Sequence, residues 1–393
     1  MRVLPVHIFT CCSAFLGCCA PPALAQPLTY AEVASEFDWA TIGALGNAAY
    51  DGPEENFMGT YFVGRGSVDY EYQIAKTEIN TGQWIEFANA LAPLVGTDHP
   101  AAQYARVDPL SWGATRDVLS GDNTYLLVPE FGGASAPVLG IEWVAAAVYS
   151  NWLHNGKSIE GDSLLTGAYD VASFSETING FFDPRNFEPL PGARFRLPTR
   201  DEWMKAGFYD PNRFGEGEGG WWTHANMKTE ASQPGFPSEP GPWDGAIGIP
   251  PELLQGGETS AQLIQFGFNT LVAALMIPPG SYPDSVSPWG LLDVSGGASE
   301  HLSLTAEDVE TILTSSNLHR IVTTVGTSIF VTPADGDFDA LWFIAPESGA
   351  AVGSDAGGIR LVTIVPAPAT TGVVVVVGGA IGACSRRRGK MRA

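Results

Sequence analysis

Phe195-Arg196-Leu197-Pro198-Thr199-Arg200-Asp201-Glu202-Trp203 is the stretch on which the fold turns. Thr199 followed three residues later by Glu202 spells a capping box, in which hydroxyl and carboxylate each satisfy a backbone N–H at a helix start. The pattern predicts a helix anchored in the core by Trp203, Ala206 and Gly207, with Arg196 as a structural residue that bonds a carboxylate or carbonyls. Working outward, Trp143 to Leu153 reads as a second helix, with Val144, Ala147, Val148 and Trp152 near one face and Gly156 as its stop. Further upstream, Trp84, Phe87, Ala88 and Leu91 keep helical spacing behind Thr81, read as an N-cap. Strands look short, at Tyr70–Ala75, His319–Val325 and Gly358–Ile364. Residues 210–290 read as the loosest stretch, with Gly215-Glu216-Gly217-Glu218-Gly219-Gly220 as a flexible loop and a proline-rich run from Pro234 to Pro251. The fold class predicted is α+β with little regular structure.

Composition narrows the function. The 393 residues carry 43 acidic against 20 basic side chains, a net charge of −23, which argues against binding a phosphate backbone. A hydrophobic share of 45% supports a real core, while 46 glycines and 29 prolines point to long loops. The charge is unevenly placed. Residues 26–365 hold every acid and only 14 bases, for a net −29. They also hold no cysteine, since Cys11, Cys12, Cys18, Cys19 and Cys384 all lie at the ends. The middle segment therefore works without disulfides, thiolate nucleophiles or cysteine metal ligands.

Residues 1–25 run from Met1-Arg2 through an apolar stretch to Ala23-Leu24-Ala25, the pattern of a secretory signal peptide. A buried N-terminal helix is the alternative, and Phe15-Leu16-Gly17-Cys18 is an imperfect lipobox. At the other end, Pro366-Ala367-Pro368 precedes a short apolar run and Arg386-Arg387-Arg388, which would hold that end on the cytoplasmic side during export. This tail resembles the PEP-CTERM sorting tails of bacterial envelope proteins, with Ala367 where those usually have Glu. The resemblance implies transient membrane association and a sorting protease; an ordinary membrane anchor is the other reading. Three segments follow: a leader over 1–25, one domain over 26–365, and a sorting or anchor segment over 366–393.

Five motifs, in order, resemble the formylglycine-generating (sulfatase-modifying factor) family. Tyr70 to Asn80 with the helix after it looks like the family's opening strand and first helix. Val138 to Leu153 resembles its V-W-x-x-A-x-x-Y-x-N-W helix, and Phe195 to Trp203 its R-L-P-T-E-A-E-W motif. Trp289 to Glu300 is similar to G-L-Y-D-M-x-G-N-V-W-E, and Gly358-Ile359-Arg360-Leu361 to the closing G-F-R strand. Asn47-Ala48-Ala49 resembles the subset that carries PEP-CTERM tails. The resemblance covers about residues 40–364 and implies a large variant of the C-type lectin fold.

The family's chemistry is harder to find. Formylglycine generators bind copper and oxidise a substrate cysteine through a cysteine pair, which would fall between about His319 and Arg360; this sequence has none there. The iron-dependent branch of the family uses histidines of an N-terminal helical domain, whereas His99, His154, His224, His301 and His319 are widely spaced here. The resemblance also implies a calcium site, mapping to Gly297, Ala298 and Glu300 with Asn226 as a further ligand, although Gly297 stands where the family has Asn; a structural acceptor buried in the loop is the other reading of Glu300. Gly215, Gly217 and Gly220 spell G-x-G-x-x-G, but Glu216 and Glu218 would repel a pyrophosphate. The expectation is an exported, non-catalytic member of the family that binds an envelope or extracellular polysaccharide or protein, and not nucleic acid. The alternative is a metal-dependent oxidoreductase of the same family with non-cysteine ligands.

Overall fold

Helix formation begins where a side chain can close a cap. Asn80 accepts from the Gln83 N–H at 3.0 Å and Gln83 returns the bond, starting α2 (Thr81–Leu91). The cap is thus Asn80, not Thr81. Thr81 is the first helical residue, and its buried hydroxyl donates to the Ala136 carbonyl (3.0 Å) and accepts from the Gly113 N–H (2.9 Å). The computed structural model describes residues 26–52, 62–104, 108–175, 177–178, 181–241, 243–244, 247–314, 324–325 and 357–364. The expected leader, the expected tail and most of the His319–Val325 strand lie outside these residues.

The helix α3 (Trp143–His154) was expected to bury one face. Instead every residue from Trp143 to Leu153 is buried, so the helix runs through the core, with Ser150 and Asn151 as polar residues buried along with the apolar ones. Trp84, Phe87, Tyr149 and Trp152 pack ring on ring between α2 and α3, with centroids 5.0–5.9 Å apart. Asn151 holds the next loop, donating to the carbonyls of Leu164 and Tyr169 and accepting from the N–H groups of Ala168 and Tyr169. Gly156 ends the helix at φ +65, where a Cβ would lie 2.2 Å from the Leu28 carbonyl oxygen.

The capping box read from the sequence starts α4 (Arg200–Phe208), with Thr199 and Glu202 reciprocally bonded. Glu202 also takes a two-pronged ion pair from Arg196 at 2.6 and 2.7 Å, so Arg196 is structural, as expected. Helix α4 packs on a three-stranded antiparallel sheet of β1 (Trp39–Ile42), β2 (Tyr72–Ala75) and β12 (Val362–Thr363), in the order β1-β2-β12. A second sheet sets β9 (Ser299–His301) between β10 (Thr324–Val325) and β11 (Gly357–Gly358), with Glu300 opposite both Val325 and Gly358. Three two-stranded hairpins complete the strands: β3 (Ala114–Arg116) with β4 (Tyr125–Leu127), β5 (Thr177–Ile178) with β6 (Phe181–Phe182), and β7 (Tyr209–Gly215) with β8 (Glu218–Trp221). The remaining α-helices among the described residues are α1 (Tyr30–Ala34), α5 (Phe268–Ala274) and α6 (Ala306–Thr314).

Two expectations for residues 210–290 need correction. The glycine-rich run is the tip and return strand of the β7–β8 hairpin, not a loose loop, because Asn212 accepts from the Gly217 N–H (2.9 Å) and closes the turn. The proline-rich run is anchored as well: its Phe236, Trp243 and Ile249 join Leu253, Leu263, Ile277 and Tyr282 in a separate core cluster. The architecture is mixed helix and strand, with no closed barrel among the described residues. No described helix is long and apolar enough to cross a membrane.

Candidate functional site

The motif residues converge on a buried ionic centre. Glu300, in the middle strand of the second sheet, accepts from Arg360 at 2.6 and 2.7 Å and from the Trp203 indole N–H. Arg360 has no exposed surface and also donates to the carbonyls of Ala75, Lys76 and Leu292 at 2.7–3.0 Å. One guanidinium thus ties the first sheet, the 289–300 loop and α4 together. Glu78 joins them, accepting the Ala298 N–H at 3.1 Å on both oxygens. Burial, reinforced by Glu300, pushes the Glu78 carboxyl well above the usual carboxylate range. Burial also pushes Asp293 up to about 6, with Glu300 adding to the rise and the Gly280 N–H and Arg360 pulling against it.

This centre explains the departure at Gly297. A Cβ there would lie 2.8 Å from both Glu78 oxygens, and φ is +61, so the buried carboxyl occupies the space of a side chain. The residues expected to hold calcium divide accordingly. Both oxygens of Glu300 are engaged by Arg360 and Trp203, and a cation placed there would sit beside a guanidinium. The Ala298 N–H faces Glu78 and the Gly297 N–H faces the Ser260 hydroxyl at 2.8 Å. Asn226 donates to Ser232 at 3.0 Å and keeps its buried Oδ1 without a hydrogen-bond partner among the described residues. That amide oxygen suits a hard cation, but the engaged Glu300 carboxylate does not. As arranged, Glu300 serves Arg360 and Trp203 in place of a cation.

The histidines are dispersed. His99 donates to the Gly161 carbonyl, His154 accepts from the Arg194 N–H, His224 donates to the Lys228 carbonyl and His301 to that of Ile141. Among the described residues no three His, Cys, Asp or Glu side chains cluster so as to hold a metal. His319 lies outside those residues.

An open cleft of about 390 Å³ lies elsewhere, between the β7–β8 hairpin and the Ala48–Gly52 segment. Buried Trp221 forms its floor, packed edge-on against Tyr50 (5.8 Å between centroids) and Tyr209 (5.2 Å). The Trp221 indole N–H donates to the Ala48 carbonyl at 3.1 Å, fixing the two walls. Half-buried Trp222 donates to Asp210 at 3.1 Å, and Phe214 is 67% exposed. The Arg213 guanidinium lies 4.6 Å from the Trp222 ring centre and 5.0 Å from that of Phe214, close enough for cation–π contact with both. The paired glycines of the return strand make room for these side chains. A Cβ at Gly219 would meet the Tyr209 hydroxyl at 2.1 Å, and one at Gly220 the Phe214 ring at 2.4 Å. The sequence reading missed this site. Its signal was the Trp221-Trp222 doublet directly after the glycines, which a nucleotide-loop comparison passed over.

Comparison with known proteins places the whole. No curated protein sequence matches the chain. Among solved structures it is similar to the crystal structure of CarF, at 15% identity over 84% of this chain and 99% of that one, with a TM-score of 0.39. It is also similar to Treponema denticola variable protein 1, at 14% identity over 84% and 95%, with a TM-score of 0.37. Residues 65–331 match the model of the sulfatase-modifying factor enzyme 1-like domain, a span that holds the capped α4 and the Glu300 strand. The chain belongs to the sulfatase-modifying factor (formylglycine-generating enzyme-like) family.

Proposed function

We propose that this protein is an exported, non-catalytic member of its family that binds an envelope or extracellular ligand, on a C-type lectin-like scaffold. The observation that carries the reading is the absence of any cysteine from residues 26–365. Thiol-dependent oxidation has no thiol nucleophile and no thiolate metal ligand in that segment. Two features support it further. The glutamate of the 289–300 motif is tied to Arg360 inside the core, while the β7–β8 cleft leaves aromatic and charged groups facing solvent. A concave site lined by rings and a few polar groups suits binding, and the sorting ends would place it outside the cytoplasm.

The test is chemical and cellular. The purified chain is incubated with a Cys-x-Pro-x-Arg peptide, oxygen and copper, and the peptide is weighed by mass spectrometry. No aldehyde is expected, and any turnover overturns the proposal. One tightly bound iron or copper per purified chain would favour an oxidoreductase with non-cysteine ligands. Fractionation of cells making a tagged chain should find it in the envelope or the medium; a cytoplasmic pool alone refutes the placement.

A further inference from the structure

We propose that the β7–β8 cleft binds a saccharide whose pyranose rings carry a carboxylate, with Trp222 and Phe214 facing the sugar and Arg213 taking the acid group. This rests on the binding-module reading and names its ligand class. Arg213 carries the argument. The domain has a large excess of acid, and Arg65, Arg116, Arg185, Arg196, Arg200 and Arg360 each pair with a carboxylate. Arg213 has no carboxylate partner among the described residues and is stacked on two rings instead. Of the two acids three residues away, Asp210 is engaged by the Trp222 indole and the Asn212 N–H, and Glu216 stands exposed at the hairpin tip without an ion pair to Arg213. Stacking leaves the N–H edge of a guanidinium free, and that edge matches a carboxylate two bonds at a time.

The other lining groups select a sugar among anions. Asp51 lines the same cleft, and Glu216 and Glu218 stand exposed at the hairpin tip. These carboxylates would repel a dense polyanion such as a phosphorylated chain. A sugar acid brings one charge per ring for Arg213, hydroxyl donors for Asp51, and a flat C–H face for the aromatic rings. The cleft's volume falls within the range of small-molecule sites, about 300–1,000 Å³.

The full chain, purified in mild detergent, is titrated with tetragalacturonate and with its fully methyl-esterified form, following tryptophan fluorescence and heat. The ester keeps the rings and removes the charge. The acid is expected to bind at least about tenfold more tightly than the ester, the discrimination of one bidentate charge-assisted contact. Arg213→Ala should abolish that preference while weak binding of both forms persists. Phe214→Ala, at an exposed position that leaves folding intact by circular dichroism, should weaken both forms, as should Trp222→Ala. Equal affinity of the wild type for acid and ester overturns the proposal, and so does binding that Trp222→Ala and Phe214→Ala leave unchanged. Envelope polysaccharide that still binds the Trp222→Ala variant sinks this site but not the binding-module reading. Aldehyde formation on the peptide sinks that reading instead.

Discussion

Two arginines show how differently one residue type is used. Arg360 is fully buried and turned inward, bonded to Glu300 and three backbone carbonyls that join separate parts of the fold. Arg213 lies against Trp222 and Phe214, with no carboxylate ion-paired to it among the described residues. The first stands in the closing segment, beyond the residues that match the family model, and the second in a hairpin within that span but between the five motifs. The buried arginine therefore serves the scaffold, while the proposed ligand site sits on a connection between the family motifs.

The comparison is broken most forcefully at Arg360. Arg360→Ala leaves Glu300, Glu78 and Asp293 without their cation and should cost about 3–5 kcal/mol, read as the urea midpoint of unfolding. An unchanged midpoint would show that the buried centre does not hold the fold together. Gly297→Ala comes next. It forces a Cβ against Glu78 in left-handed backbone and should cost about 1–3 kcal/mol, whereas Gly217→Ala at the hairpin tip, with nothing within 4 Å, should cost about 1 kcal/mol from backbone strain alone.

Acid titration sharpens the contrast further. Asp293 holds its proton more tightly in the folded chain, with a pKa of about 6 against an ordinary 3.8. The unfolded chain releases that proton first as pH rises, so this group's contribution to stability is greatest below about pH 4 and declines towards pH 6. Asp293→Asn should remove the decline, on the order of 2 kcal/mol, seen as a flatter melting temperature between pH 4 and 6 than in the wild type. A variant with the same slope as the wild type would contradict the buried, proton-holding carboxyl. The smallest effect belongs to the cleft. Phe214→Ala should change stability by no more than about 0.5 kcal/mol while weakening saccharide binding. A large loss of stability there would make the exposed ring part of the core after all.

Some of this was legible in the sequence because the interactions are local. Thr199 and Glu202 are three residues apart, and their capping box appears as read. The stripe of Trp84, Phe87, Ala88 and Leu91 gave α2, but the cap fell one residue earlier, since Asn80 competes with Thr81 and the Thr81 hydroxyl finds the Ala136 carbonyl, 55 positions on. The one-sided reading of α3 failed because its remaining faces are covered by loops and by rings such as Tyr169, Phe174 and Phe187 around Trp143. For Glu300 the sequence left two readings, a cation ligand or a buried structural acceptor, because its partner Arg360 stands 60 residues away.

By itself the sequence determined the acidic, thiol-free middle segment, the three principal helices and the family motifs, all of which follow from composition or from contacts within a few residues. Only the tertiary structure decided which charges are buried and which face outward. Glu78 reaches Ala298 across 220 positions, and Ala48 meets Trp221 across 173. Such pairings depend on how the whole chain packs, because burial and charge compensation are properties of the neighbours that folding brings together, not of adjacent residues.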